Sequence, residues 1–139
     1  MVRRDVAGAR VARATVWLND AGPLFDQPAD AFVAATKDRD LAIFYLFLVI
    51  QECIDLSAHW VADAGWGAPE DAASSFDVLA DRNAIDRDLA DRLRLAAGLR
   101  NRIAHGYAML DYRRVRTEAL EGIPALRRFL AAVAHAAGL

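Results

Sequence analysis

Leu41-Ala42-Ile43-Phe44-Tyr45-Leu46-Phe47-Leu48-Val49-Ile50 is an unbroken apolar run of ten residues, bounded by Asp40 on one side and Gln51-Glu52 on the other. A bilayer span needs about 20 such residues, so this run reads as a buried helix segment rather than a membrane anchor. Because it is apolar all round, it must be covered on most sides, either at the centre of a bundle or against a second copy of the chain. The flanking pattern extends it into one long helix from about Asp38 to Ala64, with Leu41, Phe44, Leu48, Asp55 and Ala58 along one stripe.

Helical signals continue outward in both directions. Toward the N-terminus, a first helix is expected from about Arg4 to Asn19, using Val6, Val11, Val16 and Leu18 as partial core positions and ending near Gly22-Pro23. Asp30 can cap a short helical entry. Toward the C-terminus, Gly65, Gly67 and Pro69 mark a break, and Phe76, Val78 and Leu79 predict a short helix over Ser74 to Asp81. Asn83 to Asp86 reads as a turn with Asp86 as N-cap, followed by Leu89, Leu93 and Ala96 at helical spacing through Arg100 to Ile103. A last helix spans Tyr112 to Ala136 with Leu126, Leu130 and Val133 on one face, and Gly122 and Pro124 are expected to kink or divide it. Strand signals are nearly absent. With 139 residues and 55% apolar content, residues 1–139 fit one domain with a single core. Short breaks between helices make neighbours antiparallel, so the predicted architecture is all-α, an up-and-down bundle of four to five helices.

Composition narrows the functional classes. Cys53 is the sole cysteine, which excludes an internal disulfide or a cysteine-rich zinc site, and it reads as a small buried hydrophobe. The start, Met1-Val2-Arg3-Arg4-Asp5, is not followed by a continuous apolar stretch and so lacks the form of a secretory signal; a cytoplasmic protein with no membrane partner is expected. Formal charge is −2, yet Arg100 to Arg128 holds seven arginines against Asp111, Glu118 and Glu121, giving that stretch +4 and the remainder −6. Such a concentration suits a phosphate-facing surface, and it equally suits a solvated arginine face that keeps the protein soluble.

That basic stretch opens with Arg100-Asn101-Arg102-Ile103-Ala104-His105-Gly106-Tyr107. If the helix continues, Arg100 and Tyr107 share a face and His105 lies about 140° away, at about 100° per residue. If Gly106 ends it, the chain can turn and aim His105 and Tyr107 at a common cleft. His105 can exchange a proton near neutral pH, removing it from a ribose 2′-hydroxyl or returning it to a leaving 5′-oxygen. Arg100 can hold the phosphate and oppose the charge that builds on it. This chemistry calls for no metal and no cofactor, but it benefits from two proton-transfer groups, and a two-fold dimer would supply a second His105. The plainer reading of His105 is an imidazole bonding the last carbonyls of its helix. His59 and His135 have no comparable setting, and the three histidines form no metal-site pattern.

The octapeptide resembles the Arg-x4-His-x-Tyr motif of HepT-like toxins in the HEPN superfamily. Tyr45 to Leu56 with His59-Trp60-Val61 is similar to the family's long second helix, and Phe76 to Leu79 with Leu89 to Leu99 to its run into the motif. The resemblance covers roughly residues 38 to 116. It implies a HEPN-like helical homodimer that cuts RNA without metal, with Arg100 and His105 catalytic and Asn101 and Arg102 supporting. It also implies a partner, a minimal nucleotidyltransferase antitoxin of the MntA type that transfers AMP to Tyr107. The alternative is a non-catalytic HEPN module that presents a nucleotide or substrate to such a partner. Tyr112 is assigned a packing role.

Overall fold

The computed structural model describes residues 3–71 and 73–139, so Met1 and Val2 of the opening segment lie outside the described residues. Six α-helices and one 3₁₀ turn follow in order: α1 (Arg4–Phe25), α2 (Ala29–Ala34), α3 (Thr36–Asp63), α4 (Ser74–Asp81), α5 (Arg87–Gly106), the turn Tyr107–Met109, and α6 (Tyr112–Ala136). No strand occurs among the described residues.

Polar contacts along the helix seams define the topology. Arg3 meets Asp63 and Arg10 meets Glu52, so α1 and α3 run antiparallel. Arg100 of α5 stacks on Phe47 of α3, and Asp86, just before α5, and Arg102 within it meet Arg128 and Glu118 of α6. Arg116 and Arg127 reach back to Gln27 and Asn19, closing the ring from α6 to α1. The four long helices thus form an up-and-down bundle, with α4 packed on α3 and α5 and with α2 on α3 and α6. The expected count was short by the six-residue α2, whose first turn holds Asp30. Asp30 does not cap that helix; Pro28 occupies the N-cap and Asp30 pairs with Arg113 of α6 instead.

Several boundaries differ from expectation for identifiable reasons. α1 continues through Gly22 and Pro23 to Phe25, whose ring packs 5.3 Å from that of Phe32. Pro23 forfeits only the bond to the carbonyl of Asn19, an exposed residue. Likewise α6 is continuous across Gly122 and Pro124, because buried Ile123, Ala125 and Leu126 hold both sides of the proline in the core. The core face of α1 is Ala7, Ala14, Leu18, Ala21 and Phe25, while Val16 is exposed. Alanines leave room for close helix approach, which a valine stripe would not.

The stripe expected to anchor α3 is in fact its outer face. Leu41 and Phe44 are 43% and 54% exposed, whereas Ala42, Ile43, Leu46, Val49, Ile50, Cys53, Leu56 and Trp60 are buried. By length and composition α3 is apolar enough to cross a membrane, but 56% of its most apolar window is buried inside the bundle. It is also tied to α1 by Glu52, a buried carboxylate that accepts from Arg10 Nε at 2.8 Å and from Arg13 Nη2 at 3.0 Å. Satisfying both oxygens is what makes a buried charge tolerable at the centre of such a helix.

Chain reversals use left-handed residues where needed. Gly65, at φ +72°, lets Trp66 N–H donate to the Val61 carbonyl and Gly65 N–H to that of Ala62, which closes the end of α3. Asn83, at φ +58°, closes α4 in the same manner. Asp86 then caps α5 as expected, accepting from Leu89 N–H at 2.7 Å. Asp86→Ala should cost about 1 kcal/mol, seen as a lower urea midpoint with unchanged slope.

Candidate active site

The helix carrying the octapeptide ends at Gly106 without a left-handed glycine turn. That residue has φ −136°, outside the left-handed region, and the backbone passes from α5 directly into the 3₁₀ turn Tyr107–Met109. Arg100 and Tyr107 therefore face the same neighbour, α3, while His105 faces α6. The α-helix thus ends at Gly106, as one of the two expected geometries has it, but His105 and Tyr107 are not aimed at a common cleft.

Arg100 is half-buried. Its guanidinium lies 5.1 Å over the ring of Phe47, and its Nη1 donates to Asn101 Oδ1 at 3.1 Å. Its Nε is buried without a hydrogen-bond partner, and no carboxylate pairs with it among the described residues. The cation borders a groove of about 370 Å³ between α3, α5 and the segment before α4, lined also by Gln51, Ile54, Asp71, Arg94 and Asn101. Gln51 Oε1 is a second buried atom lacking a partner. An unpaired guanidinium on an aromatic platform is suited to an anion with acceptor oxygens.

His105 is exposed and borders a separate open groove of about 490 Å³, with Asn101, Arg102, Gly106, Met109, Asp111, Arg114 and Glu118. Asn101 lines both grooves and so stands between the two groups. Within one chain Arg100 and His105 are not brought into a single pocket. Arg102 pairs with Glu118, which also meets Arg114 at 3.5 Å, so its charge is offset and it ties α5 to α6. Tyr107 is exposed and stands near Asp40 at the start of α3. Partial burial, then the charge and hydrogen bond of Asp40, hold that phenol above its usual range. Tyr112 does pack: Arg39 lies 3.8 Å over its ring.

The local excess of positive charge is largely compensated in space. Arg113 pairs with Asp30, Arg128 with Asp86 and Asp88, and Arg102 and Arg114 with Glu118. The hydrogen bond and charge of Arg113 hold the Asp30 carboxyl below its usual range. Arg116 and Arg127 are bonded to neutral oxygens. The solvated-face reading thus accounts for most of these arginines, and Arg100 is the exception. Cys53 is buried and its thiol is pushed well up by that burial, which makes it a packing residue. His59 and His135 are both exposed, and no group of three His, Cys, Asp or Glu side chains gathers to hold a metal among the described residues. Phe47, Gln51 and Asp40 escaped the sequence reading. Their spacing on α3 places them on one face, but nothing local to α3 connects that face with residues 100 to 107.

Residues 18–133, most of the chain, match the family model described as ribonuclease HepT-like. The chain belongs to the HepT-like ribonuclease family. It is 34% identical over 73 residues to the mRNA nuclease HepT of Shewanella oneidensis, a match covering 52% of this chain and 55% of that protein. It thus spans about half the length of that relative. A chain from Archaeoglobus fulgidus is 35% identical over 89 residues, covering 63% of this chain and 67% of its own length. Among solved structures, the fold matches that of a tri-AMPylated Shewanella oneidensis HEPN toxin in complex with an MNT antitoxin, with a TM-score of 0.85. That superposition covers 94% of this chain and 98% of the toxin at 23% identity. The HepT-like fold therefore extends over nearly the whole of both chains, including α1, where the sequence resemblance was weak.

Proposed function

We propose that this HepT-like chain is the toxin of a toxin–antitoxin pair: a cytoplasmic, metal-independent ribonuclease that acts as a homodimer. Its antitoxin is a nucleotidyltransferase of the MntA type that transfers AMP to Tyr107. The observation that carries this reading is Arg100, an acid-free guanidinium with a buried unpartnered Nε, five positions before an exposed imidazole.

In this mechanism one His105 removes the proton from a ribose 2′-hydroxyl, and the oxygen attacks the adjacent phosphorus. The bond from phosphorus to the 5′-oxygen breaks, and that oxygen takes a proton from the second, protonated His105. The products are a 2′,3′-cyclic phosphate and a free 5′-hydroxyl, with no net proton change. Arg100 binds the non-bridging oxygens and opposes the charge they gain in the transition state. Asn101, beside both grooves, orients the phosphate between the guanidinium and the imidazole, and Arg102 keeps α5 fixed against α6. An AMP group on Tyr107 places new negative charge on the α3-facing side of α5, where it competes with RNA phosphate for Arg100.

A dimer is required because one chain holds one motif histidine, turned toward a different groove from Arg100. The exposed Leu41 and Phe44 and half-buried Leu48 offer an apolar surface on α3, beside Phe47 and Asp40, which a second copy would cover. Purified protein in EDTA should generate RNA fragments with cyclic-phosphate ends and sediment as a dimer. Phe44→Glu should shift it to monomer and remove cleavage together. A monomeric variant that cleaves at the wild-type rate would falsify the composite site.

A further inference from the structure

We propose that Gln51 is the specificity-determining residue of the Arg100 groove, its side-chain carbonyl accepting a hydrogen bond from the exocyclic amine of an adenine beside the cleaved phosphate. This inference rests on the ribonuclease reading above and deepens it by naming the base that the site takes.

Gln51 lies on α3, one turn after Phe47 and one turn before Asp55. Its Nε2 donates to Asp55 Oδ1 at 3.0 Å. An ionised carboxylate only accepts, so the amide is held in one orientation. Asp55 is itself held by α1, where Arg10 Nη2 donates to Asp55 Oδ2 at 3.3 Å while Arg10 Nε donates to Glu52. The nitrogen end of the amide is therefore engaged on the protein side, and Oε1 is its free end. That oxygen is buried and has no hydrogen-bond partner among the described residues. Arg100 Nε is in the same condition, and both side chains line the groove of about 370 Å³ between α3 and α5. The groove thus presents one unpartnered acceptor and one unpartnered donor. Buried polar groups are nearly always paired, and leaving them unpaired costs stability, so two of them in one groove point to a ligand that supplies both complements.

The guanidinium takes phosphate oxygens through its Nε edge, since Nη1 is already given to Asn101. Gln51 Oε1 needs a donor instead. A phosphodiester offers none, and the attacking 2′-hydroxyl gives its hydrogen to His105, so the donor belongs to the base. The other groove charges are engaged: Asp71 Oδ1 accepts from Ser74 N–H and from Ser74 Oγ, each at 2.8 Å, and Arg94 pairs with Asp77. Uracil has a single base donor, N3–H, flanked by two carbonyl oxygens that would be set against Gln51 Oε1 and the Asp71 carboxylate. Adenine carries an amine that projects beyond the ring with two hydrogens and no carbonyl beside it. Unstacked bases of single-stranded RNA are read on this edge, and Ile54, Ala73 and Ala97 give the groove apolar walls for the ring faces. The groove volume falls within the range of about 300–1,000 Å³ typical of small-molecule sites.

The test measures kcat/KM of the full-length protein in EDTA on single-stranded RNA oligomers of adenosine, of uridine and of purine riboside, the last being adenosine without its amine. Wild type should cleave the adenosine oligomer about 10–100-fold better than the purine riboside oligomer, and better than the uridine one. Gln51→Met has similar length and no carbonyl, and it should bring the ratio of adenosine to purine riboside close to one. A folding defect lowers both rates alike and leaves their ratio intact, so collapse of the ratio reports the lost contact. An unchanged ratio in Gln51→Met, a wild-type ratio near one, or preference for uridine overturns the role of Gln51 and leaves the ribonuclease reading standing. So does an uncut adenosine oligomer with protein that fragments total cellular RNA. No cleavage by wild type of the oligomers or of cellular RNA overturns the ribonuclease reading and this inference with it.

Discussion

His105→Ala should lower RNA cleavage by about 10²–10⁴-fold, the range for removing a general acid–base group. In cells lacking the partner, growth arrest by the wild type should disappear in this variant. The loss will not be a folding defect, because His105 is exposed and substitution at such a site changes stability within about ±0.5 kcal/mol. In a two-fold site the same imidazole serves as base in one protomer and acid in the other, so a single substitution removes both functions. Arg100→Ala should give a comparable loss of cleavage, since it removes the charge that opposes the developing phosphorane. It also uncovers the ring of Phe47, so a small change in melting temperature should accompany it. Equal growth and no RNA fragmentation with wild type, Arg100→Ala and His105→Ala would instead favour a non-catalytic binding module.

Phe129→Ala should act on stability rather than chemistry. Its side chain is fully buried on α6, with the ring 5.4 Å from Phe76 of α4 at 90° and 6.3 Å from Trp60 of α3. Three elements thus converge on one ring. Edge-to-face packing adds to the area it removes from water, and truncation leaves a cavity that α4 cannot easily fill. The expected cost is about 3–5 kcal/mol, or roughly 10–20 °C in melting temperature for a chain of this size. A loss below about 1 kcal/mol by urea unfolding would mean that this junction rearranges around the gap. The contrast with His105→Ala separates a group retained for chemistry from one retained for packing.

Much of the fold is determined locally. The caps at Asp86 and Gly65, the helical spacing of Leu89, Leu93 and Ala96, and the bounds of α4 depend on residues a few positions apart, and these emerge as expected. The octapeptide is likewise a local pattern, and it identified the family. Where local information is symmetric, the sequence alone does not choose. In Leu41 to Ile50 both faces are apolar, so which one enters the core depends on the helices that pack against it. Leu41 and Phe44 end outside, while Ile43 and Leu46 end inside. Prolines 23 and 124 look like breaks, yet tertiary packing outweighs one lost hydrogen bond in each helix.

The site depends still more on the tertiary structure. Charge counted along the chain suggested a basic surface, but Arg102, Arg113 and Arg128 meet acids from other segments and Arg114 meets Glu118 within α6, leaving Arg100 as the one without a carboxylate among the described motif arginines. The Phe47 platform under Arg100 joins residues dozens of positions apart. Sequence by itself determined the helices and which side chains are chemically capable. Only the antiparallel docking of α3 against α5 decided which of them meet, because that proximity is fixed by burial of the core rather than by any spacing along the chain.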